Sequence, residues 1–167
     1  MEYVLVIGAD NFYELNYDDL NLANTIYFDK YFRMNDEQKQ LFLTYKFESL
    51  INLDLCNQNI DDEFVKKLCE SGMLNMLKKI DLSNNEKITS LSIQYLFESE
   101  NVTCEGKWLE ISGKYDRPMV TIQIVAYNTN VQQNDIQLFI EPNFDHTYFS
   151  YKWQERYITI KELKIDA

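Results

Sequence analysis

Few residues of this 167-residue chain combine the types and the spacing that catalysis requires. The single histidine, His146, follows Asp145 between predicted strands, and the cysteines are Cys56, Cys69 and Cys104. Pairing Cys104 with His146 would supply a nucleophile and a base, but no motif in the sequence places that base beside the thiol. We therefore expect no enzymatic activity and interpret His146 as a surface residue in a turn.

Metal and cofactor sites also lack a sequence motif. The chain contains no Cys-x-x-Cys, no paired histidines and no calcium-binding loop. Gly8 ends an apolar run, as in a nucleotide-binding turn, but the further glycines that a phosphate cradle needs are absent. The adjacent carboxylates Asp18-Asp19 and Asp61-Asp62 are typical of a turn and of a helix cap. We expect neither a metal nor a cofactor.

The charge balance of the chain restricts its partners. It has 16 basic and 27 acidic residues, a net charge of −11 at pH 7. This charge disfavours direct binding to nucleic acid or to an anionic membrane, and it favours a basic protein partner or simply solubility. No run of about 18 apolar residues predicts a transmembrane helix, and the N-terminal segment lacks the features of a signal peptide. We expect a cytoplasmic protein with reduced thiols and no membrane insertion.

A repeated motif dominates the middle of the chain. Residues Leu50–Asn57 read Leu-Ile-Asn-Leu-Asp-Leu-Cys-Asn, and residues Leu77–Asn84 read Leu-Lys-Lys-Ile-Asp-Leu-Ser-Asn. Alternate side chains of a strand face opposite sides, so Leu53 should point inward while Asp54 and Asp81 point outward. A short strand followed by a helix at a fixed period is typical of a solenoid, in which stacked units bury a shared core.

Fainter copies and helix signals extend this pattern. Leu20-Asn21-Leu22-Ala23-Asn24 and Leu109-Glu110-Ile111-Ser112 repeat the strand, which gives strand anchors at 20, 53, 80 and 109. Helices are predicted to begin at Asn35, Asp61 and Thr89, and Gly72 is a natural residue after the end of the second. The predicted helix over Gln38 to Tyr45 turns Leu41, Phe42 and Tyr45 inward. An aromatic stripe, which should pack on the core or else form a docking patch, comprises Tyr27, Phe28, Tyr31 and Phe32.

From Leu20 to Ser112 the chain resembles the leucine-rich repeat family, in its helix-containing subtypes. The resemblance implies stacked repeats and a concave strand face that recognises another protein. It also implies that an Asn after the strand bonds the backbone of the following loop. Asn85 occupies that place in one repeat, whereas the preceding repeat has Gln58 there, followed by Asn59.

Both ends of the chain lie outside the resemblance. Tyr3 to Ile7 is predicted as a first strand. The last third alternates apolar and polar residues between turn signals, which predicts an antiparallel sheet that either caps the repeats or forms a small fused module. Its predicted strands are Val120 to Val125, Ile136 to Ile140, Tyr148 to Trp153 and Tyr157 to Ile160.

The predicted fold is therefore α/β. It is a short leucine-rich-repeat-like solenoid of parallel strands plus helices, with about three to four repeats and a β-rich antiparallel C-terminal end. We expect a single domain over 1–167, with the repeat-like region over 17–112 and the β-rich cap or subdomain over 113–167.

The predicted partner-binding residues follow from this register. Asn21, Asp54, Asp81 and Glu110 should lie side by side on the concave face, on strands about 4.8 Å apart. Aligned carboxylates repel unless a cation or a basic partner neutralises them, although a solvated charged face is the ordinary alternative. We expect a noncatalytic protein–protein interaction module. The alternatives are an acidic inhibitor or immunity-type protein that neutralises a basic nuclease or nucleic-acid-binding protein, and a structural subunit of a larger complex.

Overall fold

A parallel sheet organises the first part of the chain. The computed structural model describes residues 1–99, 107–111, 114–132, 141–142, 149–153 and 156–165. The first strands are β1 (Val4–Ile7), β2 (Thr25–Phe28), β3 (Asn52–Asp54) and β4 (Lys79–Asp81), and each pairs in parallel with the next. The chain is therefore α/β, as predicted, and the predicted first strand is confirmed.

One row of inward-facing side chains crosses the sheet. Leu5 lies beside Ile26, and Ile26 lies beside Leu53. Leu53 in turn lies beside Ile80, and Ile124 continues the row on a later strand. All five side chains are buried. Because strand side chains alternate, this register directs the neighbouring residues to the opposite, outer face.

The helices begin where the sequence predicts capping residues. Side-chain oxygens of Asn35, Asp61 and Thr89 each accept a hydrogen bond from a backbone N–H in the first helical turn. Gly72 has a φ of +78°, the left-handed conformation that commonly follows a helix end. The α-helices of the described residues are α1 (Tyr17–Leu22), α2 (Asp36–Phe42), α3 (Asp62–Glu70) and α4 (Ser90–Glu98), and a 3₁₀ helix covers Phe12–Glu14. In α2, Phe42 is buried as predicted.

The structure corrects the first predicted repeat. The sequence pattern predicts a strand at Leu20, Asn21 and Leu22, but these residues form the end of helix α1. The Asn16 side chain accepts a hydrogen bond from the Asp19 N–H, and the Asp19 carboxylate accepts one from the Asn16 N–H. This reciprocal capping box stabilises a helix start, and here it outweighs the apolar alternation that suggested a strand.

Strand β2 lies where the first repeat was predicted, and with it the interval between successive strands becomes constant. Thr25 pairs with Asn52, and Asn52 pairs with Lys79, each pair being 27 residues apart.

The aromatic stripe lies in and after strand β2, and its side chains occupy two environments. Those of Phe28 and Phe32 pack against the core, whereas those of Tyr27 and Tyr31 are exposed.

The sheet continues with strands from the last third of the chain. They are β5 (Lys107–Ile111), β6 (Lys114–Ala126), β7 (Glu141–Pro142), β8 (Phe149–Trp153) and β9 (Arg156–Ile165). Strand β6 pairs in parallel with β4 and β9, whereas β5 with β6, β7 with β8, and β8 with β9 are antiparallel pairs. The predicted strand Ile136 to Ile140, like Cys104 and His146, lies outside the described residues.

The strand beside β4 is β6, so the prediction that Leu109 to Ser112 would lie there was wrong. Glu110 belongs to β5 and pairs with Tyr115 of β6. The physical reason is proximity along the chain. Strands β5 and β6 are close in sequence and can pair as a hairpin at small entropic cost, which leaves the edge of β4 to the longer strand.

The turns after β3, β4 and β6 stack on one another. Asn57, Asn84 and Asn128 have φ angles of 59°, 57° and 51°, a left-handed conformation that asparagine tolerates better than most residues. The Asn57 N–H donates to the Ser83 carbonyl oxygen at 3.0 Å, and the Asn84 N–H donates to that of Tyr127 at 2.8 Å. The parallel hydrogen-bond ladder therefore extends beyond the strand ends.

A buried amide holds two of these turns together. The side chain of Asn85 is 1% exposed and bonds only backbone groups. Its Nδ2 donates to the carbonyl oxygens of Leu55, Leu82 and Ser83, at 2.9–3.1 Å, and its Oδ1 accepts from the N–H groups of Gln58 and Ile60, at 3.1 and 3.2 Å. The expected role of Asn85 is thus confirmed. Gln58 acts similarly one turn earlier, because its Oε1 accepts from the Met34 N–H and its Nε2 donates to the Phe32 carbonyl oxygen.

Candidate functional site

The outer face of the parallel sheet carries the predicted acidic residues. Asp54 of β3 lies directly beside Asp81 of β4. On the other side of Asp54 the register brings Tyr27 of β2, which lies beside Val6 of β1. This row, which we call the outer row, consists of Val6, Tyr27, Asp54 and Asp81. It therefore has an apolar half and an acidic half.

Each aspartate of the outer row is held by the turn that follows it. The Asp54 Oδ1 accepts a hydrogen bond from the Cys56 N–H at 2.8 Å, and the Asp81 Oδ1 accepts one from the Ser83 N–H at 2.9 Å. Both side chains are half-buried. The two carboxylates are therefore fixed in the same orientation on neighbouring strands, where like charges repel.

The environment of Asp54 disfavours its ionised form. Burial is the main cause that raises the pKa of the Asp54 carboxyl, and the negative charge of Asp81 adds to the effect. The hydrogen bond from the Cys56 N–H and the positive charge of Lys79 act in the opposite direction. A cation placed against the pair would offset both the cost of burial and the repulsion, because it stabilises the charged form.

The apolar half of the outer row is open to solvent. Val6 is 53% exposed and Tyr27 is 45% exposed, and Val4, two residues before Val6, is 46% exposed. Between the two halves lies a shallow cavity of about 300 Å³, lined by Ile26, Tyr27, Asn52, Leu53, Asp54, Lys79 and Asp81. A side chain with an apolar stem and a cationic head matches this arrangement, because the aromatic ring and the carboxylates are neighbours.

A second, larger cleft of about 720 Å³ opens at the carboxyl ends of β2 and β3. Residues 28–33 form one wall, and the turns containing Cys56 and Asn84 form the other. The Lys30 Nζ lies over the Tyr31 ring, 5.3 Å from its centroid. The Cys56 Sγ accepts a hydrogen bond from the Asn84 Nδ2 at 3.1 Å, yet burial raises the pKa of this thiol. The thiol is thus protonated at neutral pH and is a poor nucleophile.

Two of the four predicted binding residues share the outer face, and two do not. Asp54 and Asp81 are adjacent, as predicted. Asn21 lies in helix α1, and Glu110 lies in β5, which pairs with β6 rather than with β4. The sequence reasoning missed Tyr27 as a member of the row. Counting back 27 residues from Asp54 would have found it.

Comparisons with protein-family models, with curated proteins and with solved structures return no match. Within the described ranges, no cluster of three or more His, Cys, Asp or Glu residues could hold a metal ion. None of the helices in the same part of the chain is long and apolar enough to cross a membrane.

Proposed function

We propose that this protein is a noncatalytic interaction module that binds another protein through the outer face of its parallel sheet. The observation that carries the proposal is the outer row, where exposed Val6 and Tyr27 stand beside the fixed pair Asp54 and Asp81. Apolar contacts would supply affinity, and a basic side chain of the partner would neutralise the carboxylates.

The repulsion between Asp54 and Asp81 favours contact with a cationic group of a partner over contact with water alone. Two carboxylates held on adjacent strands destabilise each other, and a nearby Lys79 offsets this only in part. A partner's guanidinium or ammonium group would gain hydrogen bonds to oxygen atoms that are already oriented by the Cys56 and Ser83 N–H groups. Binding therefore requires little reorganisation of the site.

The proposed architecture is a short solenoid of the leucine-rich-repeat type, with the C-terminal strands as a cap of mixed parallel and antiparallel pairing. The constant interval of 27 residues from Thr25 to Asn52 to Lys79 supports stacked units. The stacked asparagine turns support it as well, because each turn bonds the next through its backbone. Such stacking produces a preformed surface that suits protein recognition.

An acidic inhibitor of a basic protein is the second candidate. Residues 1–29 contain six Asp and Glu residues but no Lys or Arg, so the N-terminal part of the chain concentrates negative charge. Affinity dominated by this charge would fall steeply with added salt, whereas affinity dominated by Val6 and Tyr27 would not.

Affinity capture from an extract of the cells that make the protein tests the proposal. The wild-type chain is compared with the double variant Asp54→Arg and Asp81→Arg. The double variant Glu48→Arg and Glu70→Arg is the matched control, because it makes the same charge change at two exposed residues outside the outer row. We expect partners identified by mass spectrometry to be retained by wild type and by the control but lost by the double variant. Thermal unfolding verifies that all three are folded. Equal capture by all three would contradict binding through the outer row.

A further inference from the structure

Strand β1 lies at the end of the sheet, and one of its edges is open. The Tyr3 carbonyl oxygen accepts from the Asn24 N–H at 3.1 Å, and that of Ile7 accepts from the Asp29 N–H at 2.7 Å. Backbone groups of alternate residues in a strand point to the same edge, so the intervening residues Val4 and Val6 direct theirs away from β2. Among the described residues no strand pairs with this outward edge.

A side-chain amide occupies one end of the open edge. The Asn11 Nδ2 donates to the Val6 carbonyl oxygen at 2.9 Å, and the Asn11 Oδ1 accepts from the Gly8 N–H at 2.8 Å. These are the two hydrogen bonds that a neighbouring strand would make at this point. Asn11 therefore ends the pairing edge at Val6. The N–H and C=O groups of Val4 and the N–H of Val6 remain available on the described surface.

The charge around β1 decides what can pair there. The first 29 residues carry six acidic side chains and no basic one. The Tyr3 hydroxyl donates to the Asp19 Oδ1 at 3.1 Å, which places helix α1 and its carboxylates beside the strand. A second copy of the chain would bring the same negative charges to the edge and would be repelled. A cationic segment would be attracted to it.

The two faces of β1 define the pattern of such a segment. Val4 and Val6 project onto the outer face and are about half exposed, so residues of an added strand on that side should be apolar. The other side of the strand carries the buried Leu5 and Ile7 and, at its start, Tyr3 beside Asp18 and Asp19 of α1. A residue of the added strand that lies near Tyr3 on that side should therefore be basic.

We propose that the open edge of β1 binds an extended cationic segment of a partner protein as an added strand, with apolar and basic residues alternating along it. Main-chain hydrogen bonds to Val4 and Val6 provide the pairing, and Asn11 fixes where the pairing ends. The proposal rests on the proposed function, since both need a protein partner, but it uses the edge of β1 and not the part of the outer face that carries Asp54 and Asp81.

A synthetic peptide in which Lys and Val alternate, capped at both ends, is the probe. It is titrated into the ¹⁵N-labelled full chain, and amide shifts and amide exchange are followed by NMR. We expect the largest shifts and the strongest slowing of exchange at Val4 and Val6. A peptide of alternating Glu and Val should not bind. Absence of binding by the Lys–Val peptide, or shifts confined to residues outside β1, would overturn the proposal.

Two variants test the edge itself. Val4→Pro removes an outward N–H that β2 does not use, so the strand should still pair with β2 while peptide affinity falls about tenfold. Asn11→Ala exposes the Val6 carbonyl oxygen and the Gly8 N–H, so peptide affinity should rise several-fold, by roughly the value of one more hydrogen bond. Unchanged affinity in both would overturn the proposal. If Val4→Pro does not fold, the proposal is tested by the wild-type titration and by Asn11→Ala, and unchanged peptide affinity in Asn11→Ala would then overturn it.

The double variant Asp54→Arg and Asp81→Arg separates this proposal from the proposed function. It should bind the peptide as wild type does, because its substitutions lie two and three strands away from β1. A natural partner that is lost by the double variant but kept by Val4→Pro would support the outer row as the binding site and overturn strand addition at β1.

Discussion

Replacing Asn85 with alanine should destabilise the protein more than any change at an exposed turn residue. The side chain is buried, and its amide serves backbone groups in two successive turns. In Asn85→Ala, the N–H groups of Gln58 and Ile60 lose their acceptor, and three carbonyl oxygens lose a donor. An unsatisfied buried donor or acceptor costs about 1–3 kcal/mol. The two N–H groups alone therefore predict a loss of about 2–6 kcal/mol in the free energy of unfolding.

That loss is a large fraction of the stability of an ordinary domain, which is about 5–15 kcal/mol. For a chain of this length, each kcal/mol corresponds to about 2–4 °C in Tm, so Tm should fall by about 4–24 °C. Urea unfolding followed by circular dichroism measures the free energy, and differential scanning calorimetry measures Tm. Amide exchange at Gln58 and Ile60 should accelerate most, because these two N–H groups lose their acceptor directly.

Asn84→Ala is the matched control for this prediction. Asn84 is the preceding residue and is exposed, and its φ of 57° is strained for alanine. The control should cost about 1 kcal/mol, by left-handed strain and the loss of surface hydrogen bonds. If Asn85→Ala cost no more than the control, and exchange at Gln58 and Ile60 were unchanged, the account of the buried amide would be refuted.

Further predictions concern charge, backbone conformation and thiol chemistry. Burial raises the pKa of Asp54 in the folded state above the ordinary value of about 3.9 that applies in the unfolded state. The free energy of unfolding should therefore decrease as the pH rises from that ordinary value through the raised one. Asp54→Asn should therefore gain stability over wild type at neutral pH, and pH-dependent urea unfolding should show that gain disappearing in acid; a constant difference would contradict this. Gly72→Ala should lower the free energy of unfolding by about 1 kcal/mol, because alanine is strained at a φ of +78°. Steric overlap does not add to this cost, since the atom nearest to an added Cβ is the Asn75 Nδ2 at 3.9 Å. A neutral result in thermal unfolding would contradict this prediction. Cys56 should react with iodoacetamide more slowly than free cysteine at pH 7, and Cys69 more slowly still, because burial raises the pKa of Cys69 to about 12; mass spectrometry that detects fast labelling would contradict this.

The motif around Asp54 and Asp81 could be predicted because strand alternation and local turn bonds act within a few residues. The helix starts at Asn35, Asp61 and Thr89 could be predicted for the same reason. These features depend on short-range chemistry that the sequence shows directly.

What the sequence did not reveal depends on competition between local signals or on distant pairing. At Leu20 to Leu22, apolar alternation favoured a strand, but the Asn16–Asp19 capping box determined a helix. The pairing of β4 with β6 joins Ile80 to Ile124 across 44 residues, and Leu109 was the nearer candidate. Several apolar strands fit the edge of β4 equally well by pattern, so only the folded chain distinguishes them.

The equal spacing of Thr25, Asn52 and Lys79 has a consequence for how such a chain can change over evolutionary time. A segment of 27 residues that begins at Thr25 or at Asn52 ends where the next strand starts in the same register. Duplication of one whole segment would therefore lengthen the sheet while every other residue kept its neighbours. An insertion of another length would have to be accommodated in a loop, as in the interval of 44 residues between Ile80 and Ile124. The interior of this protein can thus grow by copying, and its length is determined by the two dissimilar ends.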